Sequence, residues 1–167
     1  MNRQQRGFTL IESLTALAVA ASVVMSAMPA MSHLLGKSRL QTAALEMRLA
    51  MDLARSEAVA RGHRVAIEPL GSTPWTEGWQ VFSDLNNDGR RDEAEPVLRV
   101  FTPEASGLQI ETRGLPRGGL SYDETGFVRR SGSSGLVLGR MVISYQGQSR
   151  TICIAAARTR LVDGIGC

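Results

Sequence analysis

The chain has 167 residues, of which 43% are hydrophobic and 21% are charged. These proportions exclude a disordered chain and a multi-span membrane protein, and the length allows one domain with an appendage. The net charge is only +3, but 18 of the 19 basic residues are arginines. The chain has two histidines, and its two cysteines lie within the last 15 residues, so few residues could form a zinc site or a Cys–His nucleophile. We therefore do not expect an enzyme.

The first 28 residues contain a short basic flank followed by an apolar run. Residues 1–7 carry Arg3 and Arg6 and no acid, and residues 8–28 carry one charge, Glu12. A helix of that apolar length spans about 31 Å, close to the hydrocarbon thickness of a bilayer. The flanking arginines predict a cytoplasmic N-terminus and an exported remainder. A cleaved signal peptide and a plain membrane anchor are the alternatives. The apolar run is longer than the apolar region of a signal peptide. A plain anchor would not need the charged Glu12, which is costly inside a membrane.

The run Gly7-Phe8-Thr9-Leu10-Ile11-Glu12 resembles the processing site of type IV pilins and type II secretion pseudopilins. The resemblance implies that a prepilin peptidase cuts after Gly7 and methylates the new amine of Phe8. It also implies that Glu12 meets the Phe8 amine of a neighbouring subunit during filament assembly, because a buried charge is tolerated when its opposite lies beside it. Protonation of Glu12 within its own helix is the alternative.

Downstream, the sequence predicts an α+β domain. Apolar residues recur at spacings of three and four between Leu40 and Ala58, which indicates a helix that ends near Arg61, before Gly62. Short runs with Gly and Pro punctuation then predict an antiparallel sheet or two small sheets. The predicted strands are Arg64–Glu68, Trp79–Ser83, Val97–Thr102, Leu108–Thr112, Leu120–Tyr122, Leu136–Tyr145, Ser149–Ala155 and Arg158–Val162.

This half of the chain resembles the GspH/FimT branch of minor pilins, in the helix exit around Ala54–Val65 and in the segment Gly78–Phe82. The resemblance implies a pilin-like fold, in which a long N-terminal helix packs on an antiparallel β-sheet domain. It divides the chain into a leader peptide (1–7), a transmembrane and assembly helix (8–30), an amphipathic continuation (31–62) and a periplasmic β domain (63–167).

An acidic loop matches the calcium-loop pattern D-x-[DN]-x-[DN]-G-x5-E. Its oxygen-bearing residues are Asp84, Asn86, Asp88 and Glu95, and Gly89 allows the sharp turn. The flanking segments are predicted strands rather than the helices of an EF-hand, so the preferred interpretation is a hairpin loop whose residues provide turn conformations. Arg90 and Arg91 could then neutralise the acids. Calcium is the weaker alternative, and no other cofactor is expected.

The last 43 residues are basic, with six arginines against one acid, Asp163. In the oxidising periplasm that the resemblance implies, Cys153 and Cys167 are expected to form a disulfide that closes a loop of about 15 residues, worth roughly 3 kcal/mol. Two free thiols are the alternative. Arg158 and Arg160 lie two residues apart and share one face of an extended segment.

The segment Ala157-Arg158-Thr159-Arg160 resembles the G-R-x-R signature of FimT-type pilins that bind DNA during natural transformation, with Ala157 in place of the glycine. Arg158 and Arg160 are therefore the main candidates for salt-sensitive contact with duplex DNA, and Arg150 and Arg140 are secondary ones. A solvated basic face, or an interface with an acidic subunit, is the alternative.

Taken together, the sequence predicts a minor type IV pilin of the inner membrane and then of the pilus surface, which assembles with other pilin subunits and contributes to DNA uptake and pilus biogenesis. The alternative is a GspH-type minor pseudopilin of type II secretion.

Overall fold

The computed structural model describes residues 9–71, 75–103, 107–115, 119–130, 135–156 and 158–167, and of residues 26–30 it describes the backbone alone. The chain divides into two compact units, Met1–Gly36 and Lys37–Cys167. The helix α1 covers Leu10–Arg61. The strands are β1 (Val65–Pro69), β2 (Trp79–Ser83), β3 (Val97–Phe101), β4 (Gln109–Arg113), β5 (Leu120–Tyr122), β6 (Val128–Arg130), β7 (Leu138–Tyr145), β8 (Gln148–Ala155) and β9 (Arg158–Asp163).

In the first unit, α1 begins with a side-chain cap. The Thr9 hydroxyl accepts a hydrogen bond from the backbone N–H of Glu12 at 3.3 Å. Thr at the cap and Glu three residues later form the sequence pattern of a capping box. Glu12 is exposed, as are the apolar side chains Leu10, Ile11, Leu14 and Leu17. Over the described residues, no helix combines the length and apolarity that crossing a membrane requires.

In the second unit, the predicted apolar stripe of α1 is the helical half of the core. Leu40, Ala44, Met47, Met51, Ala54 and Ala58 are all at most 2% exposed. The helix ends as predicted, since Gly62 takes a positive φ of 69° and donates to the Ala58 carbonyl at 3.0 Å. A glycine adopts that conformation without steric cost, and for this reason it is the usual helix stop.

Within the described ranges, nine strands form two antiparallel sheets in the second unit. The five-stranded sheet has the order β3-β2-β1-β5-β6, and the four-stranded sheet has the order β4-β7-β8-β9. Trp79 and Val81 of the first sheet and Met141, Ile143, Ile152 and Ile154 of the second belong to one core with the helix. The predicted α+β fold is therefore confirmed, and of the two arrangements left open the chain adopts two sheets.

The two sheets meet where β6 approaches the turn between β8 and β9. Val128 donates to the Ala156 carbonyl at 2.8 Å, and Ala156 donates to the Val137 carbonyl at 3.2 Å. Ala156 itself has a positive φ of 49°, a left-handed conformation that is uncommon for a residue with a side chain. This backbone junction fixes the start of β9 beside β6.

Candidate functional site

A groove in the second unit is lined by charged side chains of α1 and by the β8–β9 hairpin. Its volume is about 610 Å³. We call it the arginine groove, and its lining residues are Arg48, Asp52, Arg55, Cys153, Ala155, Arg158, Thr159, Arg160 and Cys167. Four arginines and one aspartate line it, so the groove is strongly positive.

The hairpin positions the two arginines that the sequence predicted. Arg158 stands opposite Ala155, and Arg160 stands opposite Cys153, in the antiparallel pairing of β9 with β8. Both arginines are exposed. Because alternate residues of a strand point to the same side, the two guanidinium groups emerge on one face of the hairpin.

The predicted disulfide is confirmed. Cys153 of β8 is bonded to Cys167, with their Cα atoms 5.8 Å apart. Thr151, two residues before Cys153, donates its hydroxyl to the Gly164 carbonyl at 2.6 Å, and the Gly164 N–H donates to the Ser149 carbonyl at 3.0 Å. The segment after β9 is thus held against β8 at two places, and Cys167 becomes part of the groove wall.

The helix supplies three groove residues that the sequence analysis did not single out. Arg48, Asp52 and Arg55 lie at i, i+4 and i+7, a spacing that aligns them along one side of α1. Arg48 and Asp52 form an exposed pair at 3.8 Å, a kind of contact that leaves both groups accessible to other partners. The spacing was visible in the sequence, but only the fold brings this side of the helix next to β9.

The charges of this helix affect the pKa of the buried Tyr122. Burial raises the pKa of its hydroxyl well above the ordinary value, the negative charge of Asp52 raises that pKa further, and the positive charge of Arg55 lowers it in part. The Tyr122 hydroxyl therefore stays protonated at neutral pH and adds no negative charge to the groove.

The two secondary candidates lie outside the arginine groove. Arg150 pairs with Asp163 at 3.0 Å, and it belongs to the alternate set of β8 residues that includes the buried Ile152 and Ile154. Arg140 lines a neighbouring cavity of about 410 Å³ together with Arg113, Leu138 and Cys167. Of the four predicted arginines, the structure thus brings Arg158 and Arg160 together, and it adds Arg48 and Arg55 to them.

The acidic loop is held by hydrogen bonds among its own groups. The Glu95 carboxylate accepts backbone N–H groups from Leu85 at 2.7 Å, Asn86 at 3.4 Å and Asp92 at 3.1 Å. Asn86 donates its amide to Asp88 and to Asp92, at 3.1 and 3.0 Å. Such a network is the expected behaviour of Asn and Asp in turns.

One carboxylate of this loop is fully buried. Asp84 accepts the Gly89 N–H at 3.2 Å through Oδ1, whereas its Oδ2 has no partner among the described residues. Burial raises the Asp84 pKa, and nearby Glu95 and Asp88 raise it further. Within the described ranges, no three side chains of His, Cys, Asp or Glu form a ready cluster for a metal ion. Neither Arg90 nor Arg91 forms an ion pair with the loop acids in that part of the chain.

The predicted processing site lies outside the described residues, since the description begins at residue 9 and the site consists of Gly7 and Phe8. Ala157, the residue that departs from the G-R-x-R signature, also lies outside them. The predicted transmembrane segment 8–30 begins at Phe8, one residue before the described part of the chain. Its membrane placement stays a prediction.

The architecture described above, a long N-terminal helix packed on antiparallel sheets, is that of type IV pilin-like proteins. The model of the family described as type II transport protein GspH matches residues 43–158. The chain belongs to this family. The model of the prokaryotic N-terminal methylation motif matches residues 2–28. The chain is therefore a minor pilin or pseudopilin, of a type IV pilus or of type II secretion.

The solved structure of one minor pilin shows the same fold. The type IV minor pilin FimU of Pseudomonas aeruginosa is 21% identical in two crystal forms, with TM-scores of 0.57 and 0.54. These matches cover 75% and 73% of this chain and 90% and 91% of FimU. The minor pseudopilin EpsH of the Vibrio cholerae type 2 secretion system has a TM-score of 0.48 and 16% identity, over 75% of this chain and 97% of EpsH. No curated protein matches the sequence.

Proposed function

We propose that the chain is a minor type IV pilin that acts by assembly and binding rather than by catalysis, and that it contacts duplex DNA through the arginine groove. Processing after Gly7 and pairing of Glu12 with a neighbouring amine carry it from the inner membrane into the pilus. The observation that supports the DNA contact is the meeting of four arginines, from a helix and a hairpin, in one groove.

The chemistry of the groove suits phosphate. Arginine presents a planar fork of N–H donors that matches phosphate oxygens. Arg158 and Arg160 stand on a hairpin that the Cys153–Cys167 disulfide and the Thr151–Gly164 hydrogen bond restrain. A restrained surface loses less conformational entropy when a ligand binds.

The groove lining favours the DNA backbone over the bases. None of the described lining residues is aromatic, whereas proteins that bind single strands stack bases on aromatic side chains. Contact with backbone phosphates is independent of sequence. The logarithm of the binding constant falls linearly with the logarithm of the salt concentration, and we call this gradient the salt slope. The expected binding therefore has little sequence preference and a steep salt dependence.

A GspH-type minor pseudopilin of type II secretion is the second candidate, and the description of the matched family favours it. In that role the arginine groove would contact an acidic region of a neighbouring subunit. The two functions differ in whether the purified chain binds DNA, so one binding experiment separates them.

The test is fluorescence anisotropy of a labelled 20-base-pair duplex titrated with the full chain in mild detergent, at several salt concentrations. Arg158→Gln/Arg160→Gln should weaken binding and lower the salt slope by about one for each phosphate contact removed. Arg90→Gln/Arg91→Gln, which removes the same charge from the exposed acidic loop, is the control. No binding by the wild type at low salt would overturn the DNA contact and favour the secretion role.

A further inference from the structure

Three arginines and the disulfide form a straight row across the four-stranded sheet. Arg113 of β4 stands opposite Arg140 of β7, Arg140 opposite Cys153 of β8, and Cys153 opposite Arg160 of β9. Directly opposed residues of an antiparallel pair point to the same face of the sheet. We call this line of residues the arginine row.

The row lies on the face of the sheet that does not bury the core. The residues that alternate with it, Met141, Ile143, Ile152 and Ile154, are all at most 2% exposed and belong to the core shared with α1. In the row itself, Arg113 and Arg160 are exposed and Arg140 is half-buried. The pleat of the strands thus separates an apolar inner face from a positive outer face.

The row continues the arginine groove. Arg160 belongs to both, and Cys167 lines both the groove of about 610 Å³ and the cavity of about 410 Å³ that contains Arg113 and Arg140. The disulfide therefore lies between the two cavities. Arginines of the row thus stand on both edge strands, β9 and β4, and on β7, and the neutral disulfide occupies the position on β8.

The guanidinium groups of the row are available to a partner. In the part of the chain that the structure describes, no ion pair engages Arg113, Arg140 or Arg160. The nearest acid along β4 is Glu111, two residues before Arg113 and therefore on the same face. Among the described strand residues on this face, one side-chain carboxylate, Glu111, stands against the three arginines of the row, so these side chains are net positive.

We infer that the arginine row is a second arm of the DNA-contacting surface, so that a duplex lies across the strands of the four-stranded sheet, with one part in the arginine groove and the next over Arg140 and Arg113. This inference rests on the proposed function. Three steps between neighbouring strands span about 14 Å, which is about four base pairs at 3.4 Å per pair. The row is therefore long enough to meet several successive phosphates.

The test compares three charge-matched double variants of the full chain by anisotropy on the same 20-base-pair duplex. They are Arg113→Gln/Arg140→Gln in the row, Arg158→Gln/Arg160→Gln in the groove, and Arg90→Gln/Arg91→Gln as the control. We expect the row variant to bind several-fold more weakly than the control and its salt slope to fall by about two. Arg113→Lys/Arg140→Lys keeps the charge, so it should keep most of the slope. Melting curves identify any variant that has lost its fold.

The outcomes separate the inference from the function on which it rests. If the groove variant loses affinity while the row variant matches the control, the row does not contact DNA and the proposed function stands. If the wild type fails to bind, both are overturned. Polyglutamate of equal total charge is the second probe, and it should bind more weakly than the duplex. Equal binding would show a surface for acidic protein segments instead of DNA.

Discussion

Arg160 of β9 stands directly opposite Cys153 of β8, and Cys153 is bonded to Cys167. The arginine that the sequence singled out for DNA contact is therefore a cross-strand neighbour of the disulfide that closes its own hairpin. This adjacency couples the covalent restraint to the position of the guanidinium group, because side chains opposed across two strands lie about 5 Å apart.

Replacing both cysteines tests that coupling. Cys153→Ser/Cys167→Ser should lower the free energy of unfolding by roughly 3 kcal/mol, the value expected for a closed loop of about 15 residues. Urea denaturation of the variant and the wild type measures it. Because the groove loses its restraint, the variant should also bind the duplex more weakly under conditions where it remains folded. Unchanged affinity would show that Arg158 and Arg160 are positioned by the strands alone.

The turn between β5 and β6 contains a carboxylate with four hydrogen bonds. Asp123 accepts the N–H and hydroxyl of Thr125 at 3.0 and 2.6 Å, the N–H of Phe127 at 2.9 Å, and Nε of Arg129 at 2.6 Å. Burial alone would raise the pKa of Asp123, but the hydrogen bonds from Thr125, Arg129 and Phe127 outweigh burial and lower that pKa to about 2.

This lowered pKa predicts an acid-dependent loss of stability. The unfolded chain binds the proton more tightly than the folded chain, so the stabilisation is complete above the ordinary pKa of 3.8 and is lost as pH falls toward 2. The expected loss is about 2 kcal/mol. Urea denaturation from pH 6 to pH 2 should show it in the wild type and not in Asp123→Asn. Asp163→Asn, at an exposed site, should retain it, and an equal acid dependence in all three chains would contradict the role of Asp123.

The sequence predicted those parts of the fold that local patterns encode. Trp79–Ser83 and Leu120–Tyr122 match β2 and β5 to the residue, and the helix ends at Arg61 as Gly62 indicated. The strand Val128–Arg130 was missed, because three residues that include two arginines show no alternation of polarity, and only pairing with β5 makes them a strand. Arg48 and Arg55 were missed as groove residues for a similar reason. About 100 positions separate them from β9, and their meeting depends on tertiary packing.

The acidic loop should be indifferent to calcium. Its carboxylates already accept N–H groups of the loop itself, and Glu95 alone accepts three. We therefore expect no change in the melting temperature when calcium is added to the purified chain. Glu95→Ala should cost about 1–3 kcal/mol, because it leaves backbone donors unpaired in a half-buried turn. A rise of several degrees with calcium, absent in Glu95→Ala, would show a cation site in this loop.

Processing at Gly7 is a prediction from the sequence resemblance. Replacing Gly7 with a bulkier residue such as Leu should leave an unprocessed precursor, because the resemblance assigns the cut to the bond between Gly7 and Phe8. Mass spectrometry of the purified chain measures the loss of the leader and the methyl group on Phe8. Processing of Gly7→Leu at the wild-type position would contradict this assignment.

Glu12 has two candidate roles, and one pair of variants separates them. It is the third residue of a helix capped by Thr9, where Glu and Gln serve the capping box equally. In the filament it is proposed to pair with a positive amine, which requires the negative charge. Glu12→Gln keeps the cap and removes the charge, whereas Thr9→Ala removes the cap and keeps the charge. We expect Glu12→Gln to be depleted from sheared pili while its amount in the membrane fraction is unchanged, and Thr9→Ala to assemble. Assembly of Glu12→Gln at the wild-type level would show that Glu12 acts only at the start of its own helix.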